Sequence, residues 1–158
     1  MATSHKSGAE SSPRRQSWAP SCEADLVSAP GETDLAVMLA SLDVQRRPGV
    51  FTFVAVEVPT PGLPAAAHGM VKEGVATPLG LPVVAARRAG LPVVVEMAWL
   101  TLTVQSSLEA VGLTAAFSRI LTDEGISCNV LAGYHHDHLL VPVERADDAI
   151  AALRVSSS

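Results

Sequence analysis

From residue 31 onward the apolar residues fall into runs that alternate between helical and strand spacing. Leu35, Met38, Leu39 and Leu42 follow the i, i+3, i+4, i+7 spacing of a helix with one buried face. Pro48-Gly49 marks a turn, and Val50 to Val58 is β-branched and aromatic enough to predict a strand. A Pro/Ala/Gly loop covers Pro59 to Gly69, and a second strand is expected between Met70 and Thr77. Val83 to Ala89 reads as a short helix that begins after Pro82 and ends at Gly90. The segment Val93 to Val104 is strand-like, most clearly over Trp99 to Val104, where Thr101 and Thr103 alternate with apolar neighbours. Ser106 then stands where it can cap a helix, with Glu109 completing a capping box. That helix carries the stripe Leu113, Phe117, Ile120 and Leu121 and stops at Gly125. Ile126 to Gly133 and Leu139 to Val143 predict two strands joined by a polar tip at Tyr134 to His138. Ala146, Ala149, Ile150 and Leu153 predict a last amphipathic helix, with Asp147 and Asp148 in the first turn, where the helix dipole favours anions.

The order helix-strand-strand-helix, a linking strand, then helix-strand-strand-helix suggests an internal repeat. Leu35, Leu39 and Leu42 match Leu113, Phe117 and Ile120, and Gly49-Val50 matches Gly125-Ile126. With the linking strand, the second half reads β-α-β-β-α, a ferredoxin-like unit without its last strand. The first half has no strand ahead of Leu35. Each half lacks an edge, so the two sheets are expected to complete one another or to pair with another chain. The expected fold class is α+β: two ferredoxin-like, βαββαβ-related modules with antiparallel sheets and helices on one face. Residues 1–30 carry no hydrophobic period and are expected to form a disordered tail; residues 31–95 make the first module and 96–155 the second.

Composition narrows the function. Of 158 residues, 48% are hydrophobic and 17% charged, enough apolar content for a core, while aromatics are only 4%. A net charge of -5 argues against nucleic acid as a partner, because backbone phosphates are held by clustered Lys and Arg. The longest apolar candidate, Leu91 to Val104, is broken by Pro92, Glu96 and its threonines, so no membrane span is expected. Met1 to Pro20 has no apolar h-region and does not read as a secretory signal. Cys22 and Cys128 cannot make a disulfide framework, which fits a reducing cytoplasm.

Candidate chemistry is sparse. His135, His136, Asp137 and His138 are suitable metal ligands, yet adjacent residues on a hairpin tip cannot all face one ion. A polar turn or subunit contact is the preferred reading of that tip, with a metal site built on His135, His136 and His138 as the alternative. Gln105-Ser106-Ser107 lies at a strand-to-helix junction, where free backbone N–H groups can hold a carboxylate. Gly112 inside the expected helix suggests close approach by a ligand or a neighbouring element. Asn129 must face solvent or find a hydrogen-bonding partner, Cys128 reads as a small buried hydrophobe, and Arg87 and Arg88 form a solvated face. No general acid, base and oxyanion donor assemble, so an enzyme is not expected.

SSLEAVGLTAAF (Ser106 to Phe117) followed by GISCNVLAGYHHDHLLVP (Gly125 to Pro142) resembles the small tandem ACT-domain proteins of an uncharacterised family. The likeness runs from about Gly31 to Leu153, with Gln105 at a position where histidine is expected and Glu73-Gly74 as an acidic-glycine step. It implies two ACT-like modules paired side by side, with an amino acid or similar metabolite bound at the module interface. The contacts it implies are Gln105, Ser106, Ser107, Val111, Gly112 and Asn129. The expected function is a non-catalytic, amino-acid-binding regulatory sensor. It is expected to be a cytoplasmic homodimer without cofactor, nucleic-acid partner or membrane partner. A purely structural partner module that binds no small ligand is the remaining alternative.

Overall fold

The computed structural model describes residues 31–104 and 106–155. The expected tail over residues 1–30, and Gln105, lie outside the described residues. Chain order runs α1 (Leu35–Ala40), β1 (Val44–Arg46), β2 (Phe51–Val56), α2 (Leu63–Ala66), β3 (Gly69–Met70), β4 (Thr77–Pro82) and α3 (Val83–Arg88). It continues with β5 (Met97–Leu102), α4 (Leu113–Asp123), β6 (Asn129–Ala132), β7 (Asp137–Pro142), a 3-10 turn (Val143–Arg145) and α5 (Ala146–Val155). The strands form one antiparallel seven-stranded sheet in the order β3-β4-β2-β5-β7-β6, with β1 also paired to β5.

Strand alternation sorts the apolar side chains into two layers. Ala98, Leu100 and Leu102 of β5, with Leu139 and Val141 of β7, pack under α1, α4 and α5 through Met38, Leu113, Phe117, Leu121, Ala149 and Leu153. On the same face, Val54, Leu79 and Leu81 pack under α2 and α3 through Leu63 and Ala86. The intervening residues Phe51, Phe53, Met97, Trp99 and Leu140 point the other way and form a third cluster with Leu131. The expectation of ferredoxin-like units with helices on one face therefore holds, in one continuous sheet.

The other face is buried as well, because the sheet curls. A Cβ on Gly69, in edge strand β3, would lie 2.9 Å from Leu131 Cδ1 in edge strand β6 and 3.2 Å from Trp99 Cη2. The two edges thus meet over Trp99, which is 1% exposed. Gly80 makes room from below, since a Cβ there would lie 3.1 Å from Trp99 Cζ3.

The strand missing from the second half is β1, whose Val44, Gln45 and Arg46 pair with Leu102, Thr101 and Leu100. Helix α1, begun where the Asp34 carboxylate accepts from Ala36 N at 2.8 Å and Val37 N at 3.2 Å, delivers it. Burial of Met38, Leu42 and Val44 contributes about 1.5–3 kcal/mol each. The exposed ion pairs Arg46–Asp147 at 3.2 Å and Arg154–Asp43 at 3.1 Å add at most about 1 kcal/mol apiece. Apolar contact, not charge, holds the N-terminal strand in place. The first half receives less in return: β2 pairs with β5 only through Phe51 and Met97.

The two halves share a register that differs from the correspondence read in the sequence. Gly69 pairs with Gly80 as Asn129 pairs with Leu140, and Phe51 pairs with Pro82 as Met97 pairs with Pro142. Pro82 (φ -55, ψ 134) and Pro142 (φ -52, ψ 134) make the same elbow into a helix. After it, Val83 N donates to Val50 O at 2.8 Å and Val143 N to Glu96 O at 3.2 Å. The counterpart of β5 is thus β2, and Leu35 to Leu42 has no such equivalence to α4. Strand β4 also replaces the strand expected between Met70 and Thr77. Its sequence, TPLGLP, reads as a loop, but Gly80 is needed beside Trp99.

Gly80→Ala is expected to lose about 1–3 kcal/mol in urea unfolding by overpacking against the indole. In a Trp99→Leu background the same change should cost at least about 0.5 kcal/mol less, the coupling expected of residues in contact.

Candidate functional site

The loop between β5 and α4 is built by backbone demands. Ser106 forms a parallel bridge with Glu32, and Ser107 N donates to Glu32 O at 2.9 Å. The N-terminal segment passes so closely that a Cβ on Gly31 would fall 2.4 Å from Ser107 N. Ser107 Oγ accepts from Glu109 N at 3.2 Å, and Ala110 N donates to Ser107 O at 3.0 Å. The expected capping box does not form. Gly112, at φ +100, stands as N-cap directly before Leu113, so the helix starts after the serines rather than at Ser106. A Cβ on Gly112 would also lie 2.9 Å from Leu35 Cδ2, which makes glycine necessary twice over. Leu108 and Val111 remain 71% and 82% exposed on this loop.

Four of the expected contacts, Ser106, Ser107, Val111 and Gly112, therefore share one loop, while Gln105 lies outside the described residues. Asn129 sits elsewhere in the sheet: both it and Trp99 pair with Leu140, well before β5 reaches the loop. It borders a cavity of about 420 Å³ lined with Met97, Leu140, Ser127, Glu96 and Glu144. Cys128, just ahead of β6, packs against the helix-side core, and burial pushes its thiol up to about 11. It is held as a neutral thiol rather than a nucleophile.

The alternative metal set does not assemble. Successive residues of a strand face opposite ways, and His138 turns to the inner face of the curl, its Nδ1 3.1 Å from Thr101 Oγ1. His135 stays at the tip with its ring 4.8 Å from that of Tyr134, and His136 lies beside it. Among the described residues no group of three His, Cys, Asp or Glu side chains is placed to hold an ion.

A second constellation was not legible in the sequence. Arg47, in the turn between β1 and β2, is fixed by its N–H donating to Trp99 O at 2.8 Å. Its guanidinium donates to His68 Nδ1 and lies over the Trp99 ring, 5.3 Å from the centroid. The rings of His68 and His138 flank the same indole at 5.9 and 5.6 Å. Desolvation, and then the charge of Arg47, holds both imidazoles below the usual 6.5, with His136 adding to the effect on His138. Burial raises the neighbouring Asp137 carboxyl, against a smaller lowering by His136. These residues come from four separate stretches of chain, and only the curl brings them together.

Residues 94–155 match the ACT domain. Among solved structures, the chain is similar to VC0802 from Vibrio cholerae, a protein of unknown function described as a possible transport protein. The two are 36% identical, with 78% of this chain and 96% of that chain covered and a TM-score of 0.71. The regulatory subunit of aspartate kinase from Thermus flavus matches at 11% identity over 73% of this chain and 97% of that chain, with a TM-score of 0.53. E. coli aspartokinase III, in complex with aspartate and ADP, matches at 15% identity over 73% of this chain and 32% of that chain, with a TM-score of 0.52. Those two likenesses show a shared fold. No curated protein matches the chain. No helix among the described residues is long and apolar enough to cross a membrane. The chain therefore belongs to one family with VC0802, and its residues 94–155 form an ACT domain.

Proposed function

We propose that the chain is a non-catalytic regulatory sensor that binds a small amino acid or related carboxylate through the loop after β5. The observation that carries this reading is the loop's composition and exposure. Leu108 and Val111 stand out in solvent on the same short loop as Ser106 and Ser107, so apolar surface and hydroxyl groups are available within a few residues of one another. Gln105, Ser106, Ser107, Val111 and Gly112 supply the contacts from this loop. Asn129 supplies another from β6, whose only strand partner among the described residues is β7. A cytoplasmic homodimer in which Asn129 of one copy approaches the loop of the other would bring these separated contacts onto one ligand.

The likeness in fold to an aspartate kinase regulatory subunit supports the regulatory part of this reading. The aspartokinase matched in complex with aspartate supports the ligand class. The common register of the two halves supports taking the first half as a second ACT-type module.

A thermal-shift screen of amino acids and small carboxylates should find at least one that stabilises the full chain. At a hundredfold excess over Kd the gain is about 2.7 kcal/mol, which for a chain of this size raises Tm by roughly 5–10 °C. Val111→Asp, at an exposed position, should leave the ligand-free Tm unchanged and abolish the shift. The proposal fails when the screen finds no stabilising compound, or when the shift survives in both Val111→Asp and Asn129→Ala. Gly112→Ala should lower Tm without ligand by the equivalent of about 1 kcal/mol or more, because alanine cannot adopt that φ cheaply beside Leu35.

A further inference from the structure

The inner-face cluster is separate from the loop and carries its own chemistry. Arg46 meets a carboxylate, Asp147, at 3.2 Å, whereas its neighbour Arg47 is held by an imidazole and an indole. No acidic side chain pairs with Arg47 among the described residues. An imidazole nitrogen that accepts from a guanidinium carries no proton, so the His68 proton sits on Nε2, a donor without a partner among the described residues. Trp99 Nε1, also a donor, is buried without a partner. His138 lies across the ring, tied to Thr101. A half-buried guanidinium with no carboxylate partner thus lies over an indole whose own N–H is buried and unpaired, an arrangement costly to leave unfilled. His68 is exposed enough for a solute to reach it.

We propose that Arg47, His68, Trp99 and His138 form a binding site for a small oxyanion, the carboxylate or phosphate group of a metabolite. Arg47 presents the planar fork that matches either group, and His68, bonded to it through Nδ1, holds the guanidinium in place. The charged and titratable groups facing the two rings are Arg47 and, at His138, also His136. Protonation of either ring adds positive charge to the site. Affinity therefore rises as pH falls below 6.5, where the two lowered imidazoles gain their protons.

The test uses the full chain carrying Trp18→Phe, so that Trp99 is the remaining indole. Trp99 fluorescence is followed on adding acetate or inorganic phosphate, against chloride at matched ionic strength. A saturable response to at least one probe is expected, tighter at pH 5.5 than at pH 6.5, a window in which acetate stays ionised and phosphate stays mainly the monoanion. Tighter binding of acetate assigns the site to carboxylates, and tighter binding of phosphate assigns it to phosphorylated compounds. Arg47→Gln should weaken binding by roughly tenfold or more. Arg47→Lys, which keeps the charge without the fork, should fall between it and the parent, and it serves as the working variant where Arg47→Gln does not fold. The proposal is overturned by a response that chloride reproduces, or by affinity that neither Arg47 variant changes. Loss of the pH dependence in the double variant His68→Asn, His138→Asn supports it, and an unchanged pH dependence contradicts the part assigned to the imidazoles.

Discussion

Everything in this molecule is organised around the packing of both faces of β5. Ala98, Leu100 and Leu102 lie under the helices, while Met97 and Trp99 lie inside the curl, so one six-residue strand belongs to two cores at once. Its edges are shared as well: β7 lies along one, and β1 with the first residue of β2 lies along the other. A strand so placed cannot be satisfied by its own half of the chain. The N-terminal half gives up β1 and α1 to complete the second unit and gains the Phe51–Met97 junction. Trp99 then fixes the curvature, because the indole needs glycine at both positions 69 and 80.

The parts of this fold that were legible in the sequence are those whose periodicity survives locally. α1, α3, α4 and α5 show a helical stripe or clear boundary residues, and β2 and β5 are β-branched and aromatic enough to stand out. What was not legible depends on contacts distant in sequence. The prolines and glycine of TPLGLP argue against a strand, yet β4 is held by β2 on one side and β3 on the other. β1 is only three residues long and is a strand because Leu100 to Leu102 present an edge to it. The serines before α4 look like a capping box, but Gly112 adopts a conformation that sets the helix start, and Glu32 claims the backbone of Ser106 and Ser107.

The same division applies to the two candidate sites. The loop after β5 was found through residue types and family likeness, since its members are consecutive. The inner-face cluster has no local signature: Arg47 and His68 meet at a turn and a loop, while Trp99 and His138 arrive from neighbouring strands. Such a site can be reached only through the curl that folds β3 over the indole. Curvature set by two glycines thus has a chemical consequence, gathering a guanidinium and two imidazoles held below their usual pKa into one place. Any ligand held there would act directly on the strand that the two halves share.

The matched ACT domain depends for its fold on the N-terminal strand and helix that complete it. Expressing residues 94–155 alone and recording its thermal unfolding by circular dichroism puts that dependence to the most direct test. The fragment lacks Met38, Leu42 and Val44 from its core, and it should show no cooperative transition. A fragment that melts cooperatively near the Tm of the full chain would contradict the account.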